Sequence, residues 1–136
     1  MTDTSPDATT RPTDAPHVRR HSRRLAASML TMGVAHLVAP EPTHQVIPAS
    51  VGSPRRWSRV VAGVEATAGV LLLIDDPRAR RTGAWLALGA FTSATVAAAR
   101  QAIEAGTPDS PKAVQAWVRL PLQLPALVST YRLARA

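Results

Sequence analysis

Four side chains with chemistry to offer stand inside otherwise apolar stretches of this chain: His36, Glu65, Arg119 and Gln123. Arg119 and Gln123 belong to the run Arg119-Leu120-Pro121-Leu122-Gln123, within the apolar stretch from Ala113 to Tyr131. A guanidinium, an amide and two prolines, Pro121 and Pro125, interrupt what would be a plain hydrophobic helix. In water that is a poor helix. In lipid it is a span carrying a charge, and an intramembrane charge is costly and commonly functional. Glu65 is the only carboxylate inside the apolar stretches, so it is the expected ion-pair partner of Arg119. His36 and Gln123 would supply further hydrogen bonds to that pair. Two readings of the cluster follow. One is structural, an ion pair and its neighbours fixing the register of a helical bundle. The other is a small polar pocket for a head group, a quinone or another small ligand.

Other chemistries find no residues. Cysteine is absent, which removes disulfide exchange, thiol redox chemistry and Cys-ligated metals. No second histidine stands at metal-ligand spacing from His36 within an apolar stretch; His44 lies in a proline-rich segment, and His17 and His21 lie in a polar tail. No Ser-His-Asp arrangement, phosphate loop or dinucleotide fingerprint can be argued. The sequence therefore assigns no catalytic residue, no metal and no cofactor, quinone being the one exception the pocket reading admits.

The elements that position these residues are legible in the distribution of polarity. Mean hydropathy is −0.01, but the polar residues are concentrated in 1–24, 40–59, 75–82 and 100–112. Between them lie four stretches of mainly Ala, Val, Leu and Gly. Aromatics make up only 4%, few for a soluble core of this size. Alanine-rich segments with scattered glycines suit helices packed closely in lipid. The expected fold is all-α, a four-helix transmembrane bundle with spans at about 25–39, 57–74, 82–99 and 113–134. Residues 1–24 read as a disordered polar and basic cytoplasmic tail, and 25–136 as the membrane domain. The first span is short against the ~20 residues a crossing needs, so it must extend into the arginine cluster or be buried among neighbours. A signal peptide is the alternative reading of this segment, and Ser22-Arg23-Arg24 resembles a twin-arginine signal. Against it stand His36, a poor cleavage site and three further apolar stretches. Pro40, Pro42, Pro48 and Pro54 make 40–56 a structured loop or re-entrant segment.

The net charge is +7, nearly all of it arginine. The cations cluster at the ends of the apolar stretches, as membrane topology requires, rather than along a helix face that would track nucleic acid. With the N-terminus inside, ten arginines fall in inner segments and five cations in outer ones. Both termini are therefore expected in the cytoplasm, and the protein in the bacterial inner membrane as a multi-pass protein. Trp57, Trp85 and Trp117 fall near span ends, as interfacial anchors do. In this orientation His36, Glu65, Arg119 and Gln123 all lie in the outer half of the bundle, within roughly 10 Å of one another in depth.

The pattern resembles the DoxX-like family of small four-span bacterial membrane proteins. The matching pieces are Gly33-Val34-Ala35-His36, Ile47-Pro48, Ala62-Gly63-Val64-Glu65, Gly69-Val70-Leu71-Leu72-Leu73, Arg81-Thr82-Gly83-Ala84-Trp85 and Arg119-Leu120-Pro121-Leu122-Gln123. The last is the most specific. Relatives often carry Phe-Pro-Ala-Asn in the third span, where this chain has Phe91-Thr92-Ser93-Ala94, with Thr92, Ser93 and Thr95 as substitute hydroxyl donors. The resemblance implies a four-helix membrane bundle. Some relatives are linked to quinone-coupled sulfur oxidation or to membrane complexes for oxidative-stress defence. The function expected on this basis is a non-catalytic subunit or scaffold of a redox-associated membrane complex. Its partners would be the bilayer, a membrane oxidoreductase or further copies of itself, and no nucleic acid. A quinone- or small-ligand-binding protein is the alternative. A small oligomeric transporter with Glu65 as proton carrier is a further one, and a soluble basic helical protein the last.

Overall fold

A computed structural model describes residues 16–40 and 52–136, and all of its regular structure is helical. Four helices follow in chain order: α1 Pro16–Val38, α2 Pro54–Leu73, α3 Pro77–Ala105 and α4 Pro111–Arg135. Each opens on a proline. At the first helical position the missing N–H is one no intrahelical carbonyl would have taken, and the fixed φ is already helical. Asp76 caps α3 by accepting the Ala79 N–H at 2.8 Å, and Ser110 caps α4 by accepting the Ala113 N–H at 3.2 Å. Gly106 ends α3 at φ 74°, a backbone conformation in the left-handed region that glycine adopts without a Cβ clash. The turn to α4 follows at once. There the Trp117 indole N–H donates to the Gly106 carbonyl at 2.8 Å, tying α4 back to the end of α3.

Two boundaries differ from the sequence reading. Residues 16–24, expected in a disordered tail, are the first turns of α1, so the helix runs through the arginine cluster as its short apolar run requires. Residues 1–15 lie outside the described part, and so does most of the proline-rich segment 40–56, whose final residues from Pro54 open α2. The other helices begin two to five residues before the apolar stretches, and α3 and α4 also end beyond them while α2 stops at Leu73, because polar residues fill those terminal turns.

Neighbours in sequence are neighbours in space: α1 packs on α2, α2 on α3 and α3 on α4, while α1 and α4 touch only lightly. The pairs run antiparallel. Ser22 Oγ donates to the Leu72 carbonyl at 2.6 Å at one end of the α1–α2 pair, and His36 meets Glu65 at the other. Trp85 and Tyr131 meet edge to face at 6.4 Å between α3 and α4. One end of the molecule thus gathers the start of α1, the α2–α3 turn and the end of α4. There Arg19 and Arg80 reach Asp75 at 3.2 Å and 3.6 Å.

Small residues make the close seams. A Cβ on Gly83 would stand 2.9 Å from the Ala68 carbonyl oxygen and 3.0 Å from the Leu72 amide nitrogen. One on Gly33 would stand 3.1 Å from the Ala62 carbonyl oxygen. The main cluster of buried residues, Leu25, Ala26, Met29, Ala68, Leu72, Ala84, Ala87, Leu133 and Ala134, belongs to the end that holds Asp75. Toward the opposite end burial continues within the α1–α2 pair at Ala62 and Glu65, and within the α3–α4 pair at Ala98, Ala102 and Ala113. Among the described helices, α3 alone is long and apolar enough to cross a membrane by length and composition.

Candidate functional site

His36 sits in the last turn of α1 and Glu65 in the middle of α2. Their approach depends on Gly33, one turn before His36, whose lack of a side chain lets α1 lie against the Ala62–Ala66 backbone of α2. His36 Nδ1 and Glu65 Oε2 share a hydrogen bond at 2.7 Å. Glu65 is buried, at 2% exposure, while His36 keeps a partly exposed edge. A buried carboxylate without a partner is strongly destabilising. Here the imidazole supplies that partner. Holding Nδ1 with a carboxylate also fixes the ring and leaves Nε2 facing away from it, the arrangement that orients histidines toward ligands in many sites.

Arg119 is not part of this contact. It lies on an exposed face of α4 and makes no ion pair with Glu65. The charge argument linked the two because they are the only opposite charges inside the apolar stretches. Packing decides otherwise, since α2 is flanked by α1 and α3, and His36 reaches the carboxylate from the adjacent hairpin partner. Gln123, one turn beyond Arg119, is half-buried, and its Oε1 is buried with no hydrogen-bond partner. Between them Pro121 lacks an N–H, so the Trp117 carbonyl one turn earlier loses its usual donor. The helix nevertheless continues through both prolines to Arg135. Thus the four polar residues form one buried pair, His36–Glu65, and a separate polar strip on α4, Arg119 with Gln123.

The α3 hydroxyls named as substitute donors are turned onto their own helix. Thr92, Ser93 and Thr95 donate to the carbonyls of Leu88, Gly89 and Phe91, each four residues back. Such back-bonding satisfies the hydroxyl on its own helix. Among the described residues no group of three His, Asp or Glu side chains is placed to hold a metal ion. The arrangement contains an oriented imidazole with a buried carboxylate behind it. It suits hydrogen bonding to a ligand or locking α1 to α2.

Residues 25–134 match the family described as Domain of unknown function (DUF8561), and the chain belongs to that family. The matched range covers almost the whole of the four helices. No curated protein and no solved structure matches the chain.

Proposed function

We propose that this protein is a four-span integral membrane protein of the bacterial inner membrane, with both termini in the cytoplasm. We propose further that it serves as a non-catalytic subunit or scaffold of a membrane complex. The observation that carries the membrane reading is an inverted distribution of apolar size. Nine of the thirteen buried hydrophobic residues among those described are alanines. The large apolar side chains point outward on all four helices, among them Val38 at 78% exposure, Ile103 at 73% and Leu122 at 70%. A water-soluble bundle gains stability by burying such residues, at about 25 cal/mol per Å². Only a surrounding apolar phase or a covering partner makes their exposure favourable.

Arg119 supports the subunit reading. It stands eight residues into α4, about 12 Å from the outer helix end at ~1.5 Å per residue, among exposed Val118, Leu122 and Leu124. At that depth a lipid-facing guanidinium costs roughly 2.5–3.5 kcal/mol unless it snorkels or meets acceptors. A neighbouring protein helix offering a carboxylate or carbonyls would remove that cost. Redox association is supported by the DoxX-like motifs alone.

The test has two parts. Carbonate washing of membranes should leave the chain in the pellet. In mild detergent the chain should co-purify with another membrane protein or with further copies of itself, and Arg119→Leu should weaken that association. Recovery in the aqueous fraction would sink the membrane reading, and a wild-type monomer at native abundance would sink the subunit reading.

A second reading is favoured by the His36–Glu65 pair, in which the imidazole Nε2 would donate to or accept from a small polar ligand such as a quinone carbonyl. It requires that Glu65→Gln abolish ligand binding while the bundle stays folded.

A further inference from the structure

The helical start of α1 carries two arginines and two histidines that the His36–Glu65 pair does not use. His17, Arg20, His21 and Arg24, with Pro16, line an open concavity of about 500 Å³. The spacing explains it. Residues three and four apart in a helix share a face, so these side chains stack over roughly two turns. Arg20 and Arg24, at i and i+4, stand about 6 Å apart at their Cβ atoms, close enough for both guanidiniums to reach one tetrahedral anion.

Among the described residues no carboxylate pairs with them. At the α2–α3 turn, Asp75 is engaged by Arg19 and Arg80 and Asp76 caps α3. Arg20 and Arg24 are exposed and make no ion pair among the described residues. The His21 Nε2 is buried and lacks a hydrogen-bond partner. Two guanidiniums and two imidazoles thus line one concavity with donors in excess and no carboxylate among the lining residues. Guanidinium forks match phosphate oxygens in geometry and charge. A carboxylate ligand would use fewer of these donors, and a cation would be repelled.

We infer that this concavity is a binding site for a phosphate-bearing anion, and that its occupant in the cell is the head group of an anionic phospholipid. The lipid source rests on the membrane reading, because it needs the start of α1 to lie at the cytoplasmic surface. Basic clusters just cytoplasmic of a span meet anionic head groups in that position. The phosphate chemistry does not depend on that reading. A lipid bound here would fix how deep α1 sits and join the start of α1 to the α2–α3 turn, where Arg19 already reaches Asp75.

The experiment uses the full chain purified in a neutral detergent. Its thermal midpoint is followed while phosphatidylglycerol, phosphatidylcholine or inorganic phosphate is added. Wild type is compared with Arg20→Gln/Arg24→Gln and with Arg55→Gln/Arg56→Gln, which removes two exposed arginines from the start of α2 at the opposite end. Phosphatidylglycerol should raise the wild-type midpoint and phosphatidylcholine should not. The half-saturating concentration should rise roughly tenfold or more in the Arg20/Arg24 variant, about 1.4 kcal/mol per tenfold, and stay unchanged in the control. A shift with inorganic phosphate as well supports the same site with a free anion as a second source. A shift with phosphate alone supports the anion site and rejects the lipid. The inference is overturned if neither anion shifts the wild type, or if the control loses the response as fully as the Arg20/Arg24 variant. Carbonate washing of the same variants separates this result from a failure of the membrane reading.

Discussion

Gly83 and Gly89 lie on the same helix, six residues apart, in opposite surroundings. A methyl group on Gly83 would stand 2.9 Å from the Ala68 carbonyl oxygen, 2.9 Å from the Leu71 Cβ and 3.0 Å from the Leu72 amide nitrogen. These belong mainly to backbone and cannot swing aside, so α3 must move away from α2. At Gly89 the same methyl meets nothing within 4 Å. Both are helix-interior positions, and replacing Gly by Ala gains each about 0.8–1.0 kcal/mol of helix propensity. That gain cancels in the comparison. What remains is overpacking at Gly83, about 1–3 kcal/mol. Gly83→Ala should therefore be less stable than Gly89→Ala by about 1–3 kcal/mol, and Gly89→Ala should equal or exceed the wild type. Denaturant unfolding of the purified protein in detergent, followed by circular dichroism, measures both. Equal stability of the two variants, or a more stable Gly83→Ala, would refute the close α2–α3 seam and the register that places Gly83 between Ala68 and Leu72.

The remaining expectations follow from the same geometry. A double-mutant cycle of His36→Gln and Glu65→Gln should give a coupling of roughly 1–3 kcal/mol, the range for a charge-assisted hydrogen bond. The cycle of Glu65→Gln with Arg119→Gln should add within about 0.5 kcal/mol, since residues that share no contact are independent. Ser22→Ala should cost roughly 1 kcal/mol, because it leaves the Leu72 carbonyl without its 2.6 Å donor in a buried setting. Asp76→Ala should cost about 0.5–2 kcal/mol by uncapping α3; no loss in thermal stability would show that the 2.8 Å cap bond does not hold that helix start.

Much of the helical layout was legible, and the errors have a common cause. Reading polarity alone places the spans at the apolar stretches, so each helix was drawn short at its N-terminal end. The missed indicator was local. Ser53-Pro54, Asp76-Pro77 and Ser110-Pro111 each pair a residue suited to the N-cap with a proline at the first helical position. α1 begins at Pro16 without such a cap, and its opening turns are so basic that they resembled a tail. Asp76, just past the end of α2, supplies the cap of α3.

Of the candidate cluster, only the shared depth of His36 and Glu65 is legible in the sequence; charge complementarity points to Arg119 instead, which the packing keeps apart. In a helical bundle, elements consecutive in sequence are usually neighbours in space. Gly33 beside Ala62 is the feature that could have favoured His36, because a glycine one turn from a histidine permits a close backbone approach on that face. The outward direction of Arg119 could not be read from spacing. It depends on which side of α4 meets α3, and the small residues of α4, Ala113 and Ala134, indicate that side only once the packing is known. The hydroxyls at Thr92, Ser93 and Thr95 could serve a ligand or their own helix, and composition does not separate the two.

The central claim is that these four helices cross a bilayer with both ends inside, and the absence of cysteine allows a direct test. Single cysteines are introduced as Ser53→Cys, Arg78→Cys and Thr107→Cys, all at exposed positions, and intact cells are treated with a membrane-impermeant maleimide before and after permeabilisation. The account predicts labelling of the Ser53 and Thr107 variants in intact cells, and of the Arg78 variant only after permeabilisation. Labelling of all three only after permeabilisation, with the protein recovered in the aqueous fraction, would contradict it.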